Sequence, residues 1–121
     1  MSDSHFVLGK RGELAARMFY ESRGAKILQC NWRCQSGEVD LIALEEGCLV
    51  FCEVKTRKSV GTGEPEEQVT RKRQKRYIRC AQQYCQDCSV TYDTIRFDII
   101  AVRVHDETCG ELRFIPNAFG Q

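Results

Sequence analysis

The chain has no apolar run near the ~18–20 residues that cross a bilayer. Its start, Met1-Ser2-Asp3-Ser4-His5, has neither the basic region nor the apolar stretch of a secretion signal, so a cytoplasmic location without membrane partners is expected. A strong overall charge is also missing: 18 Lys and Arg against 17 Asp and Glu leave +1, and the whole molecule is no general attractor of polyanions. Eight cysteines stand at 30, 34, 48, 52, 80, 85, 88 and 109, yet only Cys85-Gln86-Asp87-Cys88 is a C-x-x-C. A zinc ribbon needs a second such pair, so reduced cysteines packed as small apolar side chains are the preferred reading over a zinc module. Internal repeats, linkers and low-complexity tracts are absent as well. Prolines number two, and both punctuate elements.

What is present suits one domain over 1–121 with residues 1–7 frayed. Leu14, Ala15, Met18 and Phe19 recur at three and four residues, predicting a helix over 8–23 closed by Gly24. Strands are predicted over 26–33, 38–44 and 48–56, the last two joined through Glu45-Glu46-Gly47. A loop with two glycines fills 58–64. Pro65, backed by Glu66 and Glu67, then opens a helix to about Gln86. Val69, Arg73, Arg76 or Tyr77, Cys80 or Ala81, Tyr84 and Cys88 keep the three–four spacing of an apolar helix stripe. A strongly apolar strand over 94–104 follows, and a short one from Leu112 to Ile115 is ended by Pro116. The order is helix, three strands, helix, two strands.

The informative residues are charges inside apolar strands. Asp40 interrupts Gly37-Glu38-Val39-Asp40-Leu41-Ile42-Ala43, and Glu53 and Lys55 interrupt Val50-Phe51-Cys52-Glu53-Val54-Lys55. Strands disfavour all three residue types, and a pure core has no use for them. A two-residue loop at Glu46-Gly47 pairs residues whose numbers sum to 93, which sets Asp40 opposite Glu53; a four-residue loop gives the same sum, and a three-residue loop would need a bulge to restore it. Opposed residues share a face with Cβ atoms ~4.5–5.5 Å apart, and the two-residue strand period adds Lys55. Two carboxylates and an ammonium held on rigid strands suit phosphodiester cleavage with a hard divalent cation. Asp40, Glu53 and the main-chain carbonyl of Val54 are the candidate ligands for Mg²⁺ or Mn²⁺. Lys55 is placed to orient the attacking water or to steady charge on phosphate. The bland alternative is a salt-bridged trio at a sheet end.

A basic stripe accompanies this cluster: Arg71, Lys72, Arg73, Lys75, Arg76 and Arg79 put six positive charges into nine residues. Arg57, Lys58, Arg71, Lys72, Lys75, Arg76 and Arg79 are the candidate phosphate contacts. The plain reading of such a stripe is a solvated helix face. Glu13, near the start of the first helix, reads from the pattern alone as a carboxylate favoured by the helix dipole.

The motif resembles that of the PD-(D/E)xK nuclease superfamily, with Val39 where a proline is usual. Gly12-Glu13, Gly37 to Ala43, and Phe51-Cys52-Glu53-Val54-Lys55-Thr56-Arg57 look more specifically like the bacterial UPF0102 (YraN-like) family. Asn31-Trp32-Arg33, the Val69/Lys72 segment, Arg96-Phe97-Asp98 and Asn117-Ala118-Phe119 extend the likeness over nearly the whole chain. The resemblance implies an α/β, restriction-endonuclease-like core of order α-β-β-β-α-β, with a mixed central sheet flanked by helices as in archaeal Holliday-junction resolvases. It implies catalytic roles for Glu13, Asp40, Glu53 and Lys55, and weakly a supporting polar residue at Gln68. The expected function is Mg²⁺-dependent hydrolysis of nucleic acid, DNA first and branched or structured DNA within that. The alternative is a protein that keeps the fold for nucleic-acid binding or partner docking without turnover. Resolvase-like relatives dimerise, so the resemblance also admits a homodimer.

Overall fold

The computed structural model describes residues 4–58 and 69–120. Residues 1–3, most of the expected glycine loop, Pro65 with its two glutamates, and Gln68 lie outside the described residues. Seven elements follow in order: α1 Ser4–Ser22, β1 Lys26–Cys34, β2 Gly37–Glu45, β3 Cys48–Lys58, α2 Arg71–Asp87, β4 Thr94–Val104 and β5 Gly110–Phe119. One mixed sheet has the order β1-β2-β3-β4-β5. Its neighbours are antiparallel except β3 and β4, which run parallel. A parallel pair needs a long crossover, and α2 lies in that connection. This is the expected α/β architecture and element order.

The two helices cover opposite faces, and strand alternation decides which residues meet which helix. Leu49 and Phe51 pack with Tyr77, Cys80, Ala81 and Tyr84 of α2. Val50 and Cys52 pack with Ala16 and Tyr20 of α1. With both faces buried, β3 carries a continuous apolar run, as central strands of covered sheets do. Complete burial of a side chain such as Phe51, Leu49 or Ile42 contributes about 1.5–3 kcal/mol each. On the α2 side the rings of Phe51, Phe97 and Phe119 form a stack, with centroids 5.7 and 5.2 Å apart. Trp32 meets Tyr84 edge-on at 5.2 Å.

Several boundaries differ from those predicted. The first helix begins at Ser4, so the frayed segment expected over 1–7 does not extend through 4–7. The second begins at Arg71 rather than Pro65. Thr70 is its N-cap, in an extended conformation, and its hydroxyl accepts the Arg73 N–H at 3.2 Å. The last strand runs through Pro116 to Phe119. It is an edge strand, and its pairing with β4 shifts between Phe97 and Ile99. Proline is tolerated at such an irregularity because no ladder bond is lost there. Asn117, at φ 53°, turns its N–H to the Asp98 carboxylate at 2.9 Å.

The β2–β3 hairpin turns on Glu46 and Gly47, with φ of 48° and 79°. Positive φ at both central residues is the two-residue turn whose twist matches the strands. Every ladder pair from Glu45↔Cys48 to Leu41↔Cys52 sums to 93, as predicted. The eight cysteines are all unbridged, with Cys52 and Cys80 buried. Cys30 and Cys109 are exposed, so the reading of all eight as core residues holds only in part. No described helix is long and apolar enough to cross a membrane.

Candidate active site

The site forms where the strands leave their ladder. On β1 and β2 the pairs Cys30↔Leu41 and Trp32↔Val39 are kept, while the pair between them, Asn31 and Asp40, is missing. Asn31 has φ 52°, a left-handed conformation that asparagine tolerates better than most residues. Alternation slips in both strands here. Val39 and Ile42 both belong to the α2-side core, and Leu41 belongs to the α1 side. The Asp40 N–H donates to Tyr77 Oη at 3.3 Å. The Asp40 carboxylate accepts the Val54 N–H at 2.8 Å, taking the place of a ladder partner on β3.

The slip corrects one expectation. Strict alternation set Asp40 on the same face as Glu53 and Lys55. Instead Asp40 lines a hollow of about 230 Å³ under α1, with Lys10, Glu13, Leu14, Arg17, Asn31 and Val54 among its walls. Glu53 and Lys55 line a hollow of about 390 Å³ beside α2, with Val54, Arg57, Val69, Thr70 and Arg73. Val54 belongs to both, so the two hollows flank one residue of β3. N–H and C=O of one strand residue point to the same edge. The Val54 carbonyl therefore faces the β2 edge that Asp40 has opened.

Glu53 is almost fully buried, its side chain 6% exposed. Tyr77 Oη donates to Oε1 at 2.6 Å, and Arg73 Nε donates to Oε2 at 2.8 Å. Glu13 is half-buried and accepts from Asn31 Nδ2 at 3.1 Å, with Lys10 Nζ at 3.9 Å. Gly12 brings Glu13 in: a Cβ at this position would collide with Thr56 Oγ1 of β3, so glycine lets α1 approach the strand. Lys55 is half-buried at the end of the same β3 run.

Charge is crowded here. Burial pushes the Asp40 carboxyl up to about 7, and the charges of Glu53 and Glu13 push the same way. The Val54 N–H and Arg73 oppose them without prevailing. Burial also holds the Tyr77 phenol well above its usual range, helped by Asp40 and Glu53, so Tyr77 stays a neutral donor. A buried carboxylate crowded by like charge has an affinity for added positive charge.

The donor set fits a hard cation. Asp40, Glu53 and the Val54 carbonyl offer oxygen only, which suits Mg²⁺ or Mn²⁺. Among the described residues no three His, Cys, Asp or Glu side chains converge on one point as a ready-made cage. Mg²⁺ sites need none, being built from one or two carboxylates with waters and substrate phosphate. Of the basic residues singled out in the sequence, Arg57 lines the Glu53 hollow. Arg71, Lys72, Lys75, Arg76 and Arg79 are exposed on α2, and Lys58 is exposed at the end of β3.

Sequence reasoning missed Arg73, Tyr77 and Asn31 as site residues. Arg73 had a signal, since it sits on the inner stripe of α2 among core residues, where arginine needs a partner. Asn31 had a weaker one, a polar residue inside a strand pattern. Tyr77 read simply as core.

Comparison with known proteins agrees with the resemblance in the motifs. The family model described as "Uncharacterised protein family UPF0102" matches residues 12–102. A UPF0102 protein of Chlorobium phaeobacteroides (strain BS1) is 43% identical over 117 residues, covering 93% of each chain. One from Arthrobacter sp. (strain FB24) is 41% identical over 107 residues, covering 88% of this chain and 89% of its own. One from Caldanaerobacter subterraneus subsp. tengcongensis is 40% identical over 115 residues, covering 93% and 94%.

Proposed function

The chain belongs to the UPF0102 family, and from that premise we propose that it is a divalent-metal-dependent nuclease acting on DNA, with branched or otherwise structured DNA as the favoured substrate. One observation carries the reading: Asp40 leaves the sheet ladder at a point where Glu53 and Glu13 crowd its charge. A structural carboxylate would be neutralised, whereas this one is held destabilised, as functional groups often are.

Asp40 and Glu53 hold Mg²⁺ or Mn²⁺ together with the Val54 carbonyl. When bound, the cation lowers the pKa of water and stabilises the leaving oxygen of a phosphodiester. Asn31 orients Glu13, which supports the Asp40 side of the site. Tyr77 fixes one oxygen of Glu53 and the backbone of Asp40 together. Lys55 steers the water or steadies the phosphate, and Arg57 with the exposed basic residues of α2 holds the nucleic-acid backbone.

A cleavage screen over linear, branched and single-stranded DNA with Mg²⁺ and Mn²⁺ tests this. Asp40→Ala and Glu53→Ala should each abolish cleavage while circular dichroism stays unchanged. Retained activity in both purified variants would sink the proposal. The second reading, a binding protein without turnover, draws on the Arg73–Glu53 ion pair, which already supplies Glu53 with a cation. Salt-sensitive DNA binding with no cleavage and no Mn²⁺ uptake would favour it.

A further inference from the structure

We infer that Arg73 is an exchangeable internal counterion: it holds Glu53 in place of a divalent cation, gives it up when the cation binds, and so sets the affinity of the site for metal. This rests on the metal-dependent reading above. Glu53 has both oxygens engaged, one by the neutral Tyr77 and one by the Arg73 guanidinium at 2.8 Å. A cation entering between Asp40 and Glu53 meets an arginine already occupying one of its two carboxylates.

Arg73 is built to be displaced rather than to act as a fixed strut. Its backbone is pinned, because its N–H is the one capped by Thr70 at the start of α2. Its side chain is 46% exposed, so the guanidinium reaches the buried carboxylate from the solvent side. The far end can swing outward without unpacking a core residue, and a cation arriving at the buried Glu53 offsets the cost of uncovering its charge, which an unreplaced loss of Arg73 would not. The hollow it lines also contains Lys55 and Arg57. A released guanidinium therefore remains where phosphate would lie, and its planar fork suits phosphate oxygens. Metal entry and phosphate capture are thereby linked through one side chain.

Direct Mn²⁺ binding by electron paramagnetic resonance at pH 8, on the full chain, is the test. Arg73→Met should bind Mn²⁺ about tenfold or more tightly than wild type, since a unit charge close to a divalent ion is removed. Arg73→Lys should restore affinity toward wild type. Arg57→Met removes the same charge from the same hollow without touching Glu53, and its more solvated charge should matter less, by about threefold at most. Equal gains in Arg57→Met and Arg73→Met would overturn direct competition, as would an unchanged or weakened affinity in Arg73→Met. Should Arg73→Met fail to fold, Arg73→Gln replaces it with the same expected gain. Mn²⁺ bound by wild type, lost in Asp40→Asn and unchanged in Arg73→Met sinks this inference and leaves the metal site standing. Mn²⁺ bound by neither wild type nor Arg73→Met sinks both.

Discussion

Replacing Asp40 by asparagine should remove function and raise stability. The sign follows from linkage. The Asp40 carboxyl lies near 3.8 in an unfolded chain and is pushed up to about 7 in the fold. Between those values the folded protein binds a proton that the unfolded chain does not, so stability falls as pH rises from about 4 to 7 and stays low above. At about 1.4 kcal/mol per pH unit, a rise of about three units destabilises the metal-free protein by at most ~4 kcal/mol at pH 8. Asparagine keeps an oxygen for the Val54 N–H and carries no charge, but its amide protons need a new partner, which costs about 1–2 kcal/mol. The net expectation is that Asp40→Asn is about 2–3 kcal/mol more stable than wild type at pH 8, or roughly 8–12 °C in Tm. Urea unfolding at pH 8 and pH 5 measures it, and the gap should shrink toward zero at pH 5. Adding Mn²⁺ should narrow it at pH 8, because a ligand of the folded state stabilises wild type alone. A variant less stable than wild type at pH 8, or a gap independent of pH, would refute the reasoning.

Three further outcomes follow from the geometry. Asp98 has no exposure and takes hydrogen bonds from Tyr20 Oη, Arg96 and the Asn117 N–H, so Asp98→Ala should cost about 3–5 kcal/mol in urea unfolding; a loss under 1 kcal/mol would contradict the network's role. Gly12→Ala should force α1 off Thr56, lowering stability by about 1–3 kcal/mol and weakening Mn²⁺ binding with it; unaltered binding would show that Glu13 needs no such approach. Single Gln replacements at Arg71, Lys72, Lys75, Arg76 and Arg79 should each reduce the salt slope of DNA binding by about one where the residue meets a phosphate. If all five leave the slope unchanged, DNA does not run along α2.

Much of this was legible because it rests on local rules. The hairpin register came from Glu46-Gly47, and the inner stripe of α2 came largely from spacing. On α1 the spacing misled: Leu14 and Met18 are exposed, and Ala16 and Tyr20 face the sheet instead. What escaped was the exception to the period. The slip at Asn31 and Asp40 depends on two strands changing conformation together, and single-strand alternation cannot announce that. Had alternation held, Asp40 would lie on the α2 face; because it slips, Asp40 turns toward Glu13. The carboxylate from α1 thus joins the site through a backbone irregularity rather than through sequence spacing. The start of α2 escaped for a similar reason, since Pro65 is a sound N-terminal signal but Thr70 supplies the cap five residues later. That cap fixes the register in which Arg73 and Tyr77, one turn apart, both reach Glu53.

The protein handles buried acid in two opposite ways, and the contrast argues for where its function lies. Toward the hairpin, Glu45 is gripped by Arg23 and Arg96, with contacts of 2.7 and 2.8 Å, and Arg96 also clamps Asp98. Burial alone would raise Glu45, but the hydrogen bonds from Arg23 and Arg96 outweigh it and hold the carboxyl below its usual range. The same chain therefore can neutralise acids in its sheet, and does so with Arg23, just after α1, and Arg96 of β4. At Asp40 it does not: one backbone N–H and a more distant Arg73 leave the carboxyl raised to about 7. A fold that satisfies one acidic cluster and leaves the next deficient in positive charge, at an opened ladder between two hollows, bears instability that an arriving cation would relieve. Arg73 is the partial answer the chain carries itself, and its half-exposed side chain is what makes that answer exchangeable.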